Sequence, residues 1–143
     1  MNGMNNHPIP SDMKVLEYFL HPRNVGDLPD ADGVGEVGAV SCGDVLRISI
    51  RVRDGRIAEA GFRTFGCGTA IACSSVTTEL IRGRTIKEAL EFSNEEVSRA
   101  LGGLPPAKAH CPVLAEEAVK AALEDYLKRR NLSSITMLRK ASS

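Results

Sequence analysis

Apolar and polar residues alternate along residues 46–53, with Leu46, Ile48, Ile50 and Val52 on one parity and Arg47, Ser49, Arg51 and Arg53 on the other. A period of two with branched apolar side chains predicts a strand buried on one face. Asp54-Gly55 follows, a pair suited to a two-residue hairpin turn, and leads into a second strand over residues 56–65. Its alternation is looser: Ala58, Ala60 and Phe62 keep one parity, while Ile57 and Phe65 take the other. Residues 36–40 read as a preceding strand, joined to the hairpin by the turn Ser41-Cys42-Gly43-Asp44. Together they predict a three-stranded antiparallel meander.

Elsewhere the period is helical. Residues 11–20 predict a short helix capped by Ser11 or Asp12, with Met13, Leu16 and Phe19 or Leu20 on one face and His21-Pro22 as its stop. Gly26, Pro29, Asp32-Gly33 and Gly35 mark residues 24–35 as a loop. Residues 69–82 predict a helix with Cys73, Val76 and Leu80 on one face, ended by Gly83. Thr85 with Glu88, and Ser93 with Glu96, have capping-box spacing and start two more short helices. Gly102-Gly103-Leu104-Pro105-Pro106 interrupts the helical run. Residues 113–130 then form a long helix with Ala115, Val119, Ala122 and Tyr126 as its stripe. Glu116 and Glu117 fall in its first turn and Lys128-Arg129-Arg130 in its last, as the helix dipole favours. The fold class expected is α+β: a three-stranded antiparallel sheet with helices packed on one face and a long C-terminal helix. Residues 1–10 read as a flexible leader, 11–130 as one domain and 131–143 as a mobile polar and basic tail.

Composition narrows the function. At 143 residues and 43% hydrophobic content there is room for one domain with a core. Eighteen basic residues balance 18 acidic ones, which gives no electrostatic case for nucleic acid or an anionic membrane as partner. No apolar run approaches the roughly 18 residues of a membrane helix, and the start lacks the pattern of a signal or transit peptide. A cytoplasmic location is expected. In such a compartment four cysteines point to metal binding or thiol chemistry more than to disulfides, although any one can be a small buried hydrophobe.

The meander gathers candidate chemistry at one end. If the first strand runs up to Cys42, the second starts beside it at Asp44 and the third returns to end at Cys67. With strands about 4.8 Å apart, even the outer two end within about 10 Å of each other. Gly43, Gly66 and Gly68 let backbone approach a ligand closely there. Cys111 lies just before the long helix, whose positive end favours the thiolate, and that helix can lay its start over the same end of the sheet. Three thiolates and a carboxylate suit zinc or an iron-sulfur cluster, though the spacing is too wide for a zinc finger. Cys73 reads as core packing. His7 and His21 read as leader and surface residues, and Arg47, Arg51 and Arg53 as a solvated strand face or, second, a basic docking surface.

Pro22-Arg23-Asn24-Val25-Gly26, Cys42-Gly43-Asp44, residues 64–72 (Thr-Phe-Gly-Cys-Gly-Thr-Ala-Ile-Ala) and residues 104–111 (Leu-Pro-Pro-Ala-Lys-Ala-His-Cys) occur in this order. Over about residues 13–130 the chain resembles the IscU/NifU-type iron-sulfur cluster assembly scaffolds. The resemblance implies that Cys42, Cys67 and Cys111 ligate a transient 2Fe-2S cluster, with Asp44 or His110 in the fourth place. It implies that Cys111 accepts persulfide sulfur from a cysteine desulfurase, with iron and electrons from other donors such as a ferredoxin, and delivery to apo iron-sulfur proteins. Residues 104–108 (Leu104, Pro105, Pro106, Ala107 and Lys108) resemble the family segment recognised by an Hsp70-type chaperone with its co-chaperone, with Ala107 standing where the family has valine. Lys108 also offers a charge to balance the thiolates, or is simply solvated. A homodimer, and zinc in the purified protein, stay open.

Three other readings use the same residues. One is a zinc-bound sulfur acceptor of the SufU kind, which His110 beside Cys111 and the lack of an extra segment between the second and third cysteines count against. Another is a thiol enzyme with Cys111 as nucleophile and His110 as base, but neighbours in sequence rarely converge and no orienting third group is evident. The last is a structural zinc domain.

Overall fold

The computed structural model describes residues 11–39, 43–104 and 110–142. Helix α1 (Ser11–Leu20) precedes strands β1 (Gly33–Ala39), β2 (Asp44–Arg53) and β3 (Arg56–Phe65). Helices α2 (Gly68–Ile81), α3 (Ile86–Leu90), α4 (Asn94–Ala100) and α5 (His110–Ser142) follow. The strands form one antiparallel sheet in the order β1-β2-β3, so the meander holds. Asp54 and Gly55 both have positive φ (53° and 74°), the backbone that a two-residue hairpin turn demands.

The buried parity of β2 is the one the alternation marks: Leu46, Ile48 and Ile50 are buried beneath α2 and α5, together with Ile57, Ala60 and Phe62 of β3. On the opposite face the residues 24–32 run over the sheet. The Gly26 amide donates to the Phe62 carbonyl, the Leu28 amide to Ser49 Oγ and the Asp32 amide to the Ile50 carbonyl. This explains why Ser49, on the polar parity, is buried. It also qualifies the solvated arginine face, because Arg47 pairs with Asp27 and Arg51 with Glu59.

The first strand begins at Gly33, earlier than the glycine-rich sequence indicates. Gly33 and Gly35 serve close approach and not turning. A Cβ on Gly33 would collide with the Ala122 carbonyl oxygen, and one on Gly35 with the Ala118 carbonyl oxygen and the Ala122 amide nitrogen. Strand and helix therefore touch backbone to backbone. Two polar ties hold them there: the Val34 amide donates to Asp125 Oδ2 at 2.8 Å and Arg129 Nη1 to the Ala31 carbonyl at 2.9 Å.

Helix α5 buries Ala115, Ala118, Val119, Ala122 and Leu123, a stripe at helical spacing whose small residues permit that approach. It starts at His110, three residues before the expected position, and its helical backbone continues through the residues expected to form a tail. Pro112 is tolerated because the first turn has no amide partner to lose. The earlier start also takes Glu116 out of the first turn. Its Oε1 instead accepts from the Asn94 amide at 2.7 Å, joining α5 to the start of α4.

Helix α2 is central, buried nearly all round and not on one face: Ala72, Cys73, Ser75, Val76, Thr77, Thr78 and Ile81 all lie inside. Its hydroxyls are satisfied locally, Thr77 Oγ1 donating to the Cys73 carbonyl and Ser74 Oγ to the Ala70 carbonyl. The segment after α1 locks onto it, with the Arg23 amide donating to Ser75 Oγ at 2.7 Å and Asn24 Nδ2 to Thr78 Oγ1 at 3.0 Å. In α1 itself the inward residues are Val15 and Tyr18, while Met13, Leu16 and Leu20 of the expected apolar face are about half exposed or more and only Phe19 of that face packs on α2. Both capping boxes form, Thr85 with Glu88 and Ser93 with Glu96. Among the described residues no helix is long and apolar enough to cross a membrane.

Candidate functional site

Strand register brings the candidate chemistry together. Ala39 pairs with Asp44 and Val45 with Phe65, so the end of β1, the start of β2 and the end of β3 lie side by side. Asp44 is the first residue of β2, with its side chain 16% exposed. Cys67 follows β3 and occupies the N-cap of α2, where its carbonyl accepts from the Ile71 amide at 3.2 Å. At Gly66, just before Cys67, a Cβ would lie 2.5 Å from Asp44 Oδ1 and would push that carboxylate aside. On the far side of Cys67 the Phe19 ring packs against Gly68, where an added Cβ would sit 3.2 Å from the ring.

The first turn of α5 completes the group. His110 Nε2 lies 2.8 Å from Asp44 Oδ2, and the same nitrogen is 3.6 Å from Cys111 Sγ. The carboxylate accepts, so Nε2 carries the proton in this arrangement. Cys111 belongs to the helix and does not precede it, and it is 3% exposed, whereas Cys67 is exposed.

One contact was not anticipated by the sequence. Cys73, in the second turn of α2, is buried in the core as expected, yet it lies near enough to Cys111 for each thiol to shift the titration of the other. This contact is the main reason that the Cys111 thiol is held down to about 7, with the charge of His110 and a hydrogen bond with Cys67 acting the same way against burial and the Asp44 charge. Cys73 is pushed far up, by its nearness to Cys111 and by burial. Of the pair, Cys111 is the thiolate and Cys73 the thiol. Nothing in the spacing of Cys73 marks this, because periodicity says that a residue is inside and not which inside residue it meets.

A void of about 10 Å³ adjoins Cys111, lined also by Asp44, Thr64, Ala70, Ser74 and Leu114. Two thiols, a carboxylate and an imidazole thus converge as donors that suit iron or zinc. Among the described residues no three of them form a closed metal-holding set, and Asp44 Oδ2 and His110 Nε2 are bonded to each other. Cys42, the residues 105–107 (Pro-Pro-Ala) and Lys108 lie outside the described residues. Leu104 is partly buried against the core.

Comparison with known proteins agrees with this architecture. Residues 11–133 match the family described as NifU-like N terminal domain. The chain is 51% identical over 116 residues to the iron-sulfur cluster assembly scaffold protein IscU 1 of Archaeoglobus fulgidus, covering 81% of this chain and 76% of that protein. It is 49% identical over 123 residues to the scaffold protein IscU of Azotobacter vinelandii, covering 83% of this chain and 95% of that protein. The crystal structure of a NifU-like N-terminal protein from Brucella abortus superposes with a TM-score of 0.63 at 19% identity, over 80% of this chain and 92% of that one. With its meander, its central helix and its long C-terminal helix all accounted for by one family over nearly the whole described chain, this protein belongs to the NifU-like N-terminal domain family, of the IscU/NifU scaffold type.

Proposed function

We propose that this protein is a scaffold on which iron-sulfur clusters are built before delivery to apo-proteins, and not an enzyme in the ordinary sense. The observation that carries the reading is the meeting of Asp44, Cys67, His110 and Cys111 at one end of the sheet, in a chain about half identical to proteins named as scaffolds. Cys42 joins them as the third cysteine ligand of a 2Fe-2S cargo, and Asp44 or His110 takes the fourth place. Sulfur enters when the Cys111 thiolate attacks the outer sulfur of a desulfurase persulfide. The outer sulfur moves to Cys111, and the desulfurase cysteine leaves as thiolate, so no external oxidant or reductant is consumed. Because Cys111 is buried here, delivery requires the first turn of α5 to loosen.

Iron and electrons come from separate donors, the electrons from a carrier such as a ferredoxin. Residues 104–108 are the proposed chaperone-recognition segment, a Leu-Pro-Pro sequence of the kind that peptide-binding partners recognise.

Anaerobic reconstitution with iron, cysteine and a cysteine desulfurase tests the reading. The parent is expected to gain visible cluster absorption with matching iron and sulfide, and the Cys42→Ser, Cys67→Ser and Cys111→Ser variants to lose it. Tight zinc binding with no cluster formation would instead favour a zinc-bound sulfur acceptor or a structural zinc domain.

A further inference from the structure

We propose that Phe19 is a positioning residue of the site: its ring walls off the Cys67 side from water and so governs how long a cargo stays bound there. The inference rests on the reading of the chain as a cluster scaffold. It adds a residue from α1, an element that contributes no ligand.

The ring is laid on the start of a helix. An ideal Cβ on Gly68 would lie 3.2, 3.5 and 3.6 Å from three consecutive ring carbons of Phe19, Cδ1, Cγ and Cε1. The ring thus rests on the first residue of α2, with no side chain between them. Gly68 follows Cys67 directly, and neighbouring Cα atoms are about 3.8 Å apart, so the ring stands beside the cysteine. Cys67 is exposed and is the N-cap of α2, and its side chain makes no capping hydrogen bond. The first amides of a helix have no partner within it. At this end of α2 the ring fills space that water would otherwise occupy.

Contacts outside the site fix the ring in place. Just beyond α1 the Arg23 amide donates to Ser75 Oγ at 2.7 Å and Asn24 Nδ2 to Thr78 Oγ1 at 3.0 Å, both in α2. The Arg23 guanidinium covers the Tyr18 ring at 4.6 Å. These ties set the last turn of α1 against α2 and bring Phe19 to its start. Leu16 and Leu20 of the same helix stay more than half exposed.

An apolar wall acts on an iron-sulfur cargo in two ways. It withholds water and chelators from the thiolate–iron bond that Cys67 would make, which slows loss. It also leaves the added negative charge of a reduced cluster less well solvated. Solvent exposure is one of the factors that set cluster potentials, and a dry wall holds the potential down.

The test compares the full-length parent with Phe19→Ala, Phe19→Leu and Leu16→Ala. In the metal-free proteins, peptide mass mapping times the alkylation of Cys67 by N-ethylmaleimide, with Cys111 as internal reference and the urea midpoint as a check on the fold. In the reconstituted proteins, cluster loss to excess chelator and the cluster potential are measured. Phe19 is 43% exposed, so its removal leaves the core intact. Phe19→Ala should alkylate Cys67 at least about threefold faster, because reactivity follows access, with Cys111 unchanged. It should also lose its cluster faster and have a higher potential. Phe19→Leu keeps an apolar group on Gly68 and should return most of the way to the parent, and Leu16→Ala should match the parent. Parent rates and potential in Phe19→Ala would overturn the inference and leave the scaffold reading standing. Equal acceleration in Leu16→Ala, or of Cys111 in Phe19→Ala, would trace the effect to a loosened α1 and overturn it as well. A parent that assembles no cluster would bring down the scaffold reading and the inference together.

Discussion

His110 Nε2 and Asp44 Oδ2 meet at 2.8 Å across 66 positions of sequence, so each of the two candidates for the fourth ligand is held by the other. Iron can take Asp44 through Oδ1 with the pair intact, whereas Nε2 of His110 becomes available only if the pair separates. Of the two, the carboxylate is the harder donor, and it bonds iron less well than a thiolate does. With Asp44 in the proposed fourth place, the site would have a weak side, and the cargo would stay transferable.

Asp44→Ala removes the weak ligand and frees His110. The expected outcome is a cluster that is retained longer, with transfer to an apo-ferredoxin slowed on the order of tenfold, the scale on which groups around a metal site act. Visible circular dichroism of donor and acceptor follows the transfer directly. Faster release from the variant would show that Asp44 anchors the cluster.

The contact between Cys73 and Cys111 gives a pH prediction. A hydrogen bond donated to a thiolate stabilises the charged form, so the proton leaves at lower pH, and the Cys111 thiol sits at about 7. Thiolate absorbance of the metal-free protein, taken as the difference from Cys111→Ser, should therefore rise through pH 7. Cys73→Ala deletes the largest cause of the shift and should move the midpoint up toward the ordinary thiol range. Cys73→Ser retains a donor and should restore most of the shift. A midpoint unmoved in Cys73→Ala would assign the lowering to His110 and Cys67 instead.

How far the sequence carries the structure depends on the kind of interaction. The alternation from Leu46 to Val52 and the Asp54-Gly55 turn are local signals, and the register and the gathering of Asp44 and Cys67 at one end follow from them. Partner choice is not local. The face chosen for α1 is reversed because Tyr18 is held inward beneath the Arg23 guanidinium, 4.6 Å from the ring centre, leaving Leu16 outside. A single face for α2 fails for a related reason: a helix packed on several sides has no polar stripe to read. Periodicity places Cys73 inside, but Cys111 lies 38 positions later on another helix, and no periodicity connects them.

Gly35 shows the same limit and supplies the last prediction. In the sequence it sits in a turn-rich segment, and glycine for turning is the natural reading. In the fold it is a strand residue beneath α5, and the nearest atoms a Cβ there would meet are all helix backbone: the Ala118 carbonyl oxygen, the Ala122 nitrogen and the Ala121 carbonyl carbon. Backbone cannot swing aside as a side chain can. The helix is also tied to this strand by Asp125 and to Ala31 just before it by Arg129, so relief requires moving both elements apart. Overpacking of a tight core costs about 1–3 kcal/mol, and Gly35→Ala is expected at the upper end of that range. Gly55, with φ of 74° in the hairpin turn and open space around it, provides the comparison. Its alanine variant incurs only the left-handed backbone penalty, about 1–2 kcal/mol. Urea unfolding of the metal-free proteins should place Gly35→Ala below Gly55→Ala in midpoint. A Gly35→Ala protein within about 0.5 kcal/mol of the parent, the range of ordinary surface changes, would mean that α5 does not rest on β1 as closely as the backbone indicates.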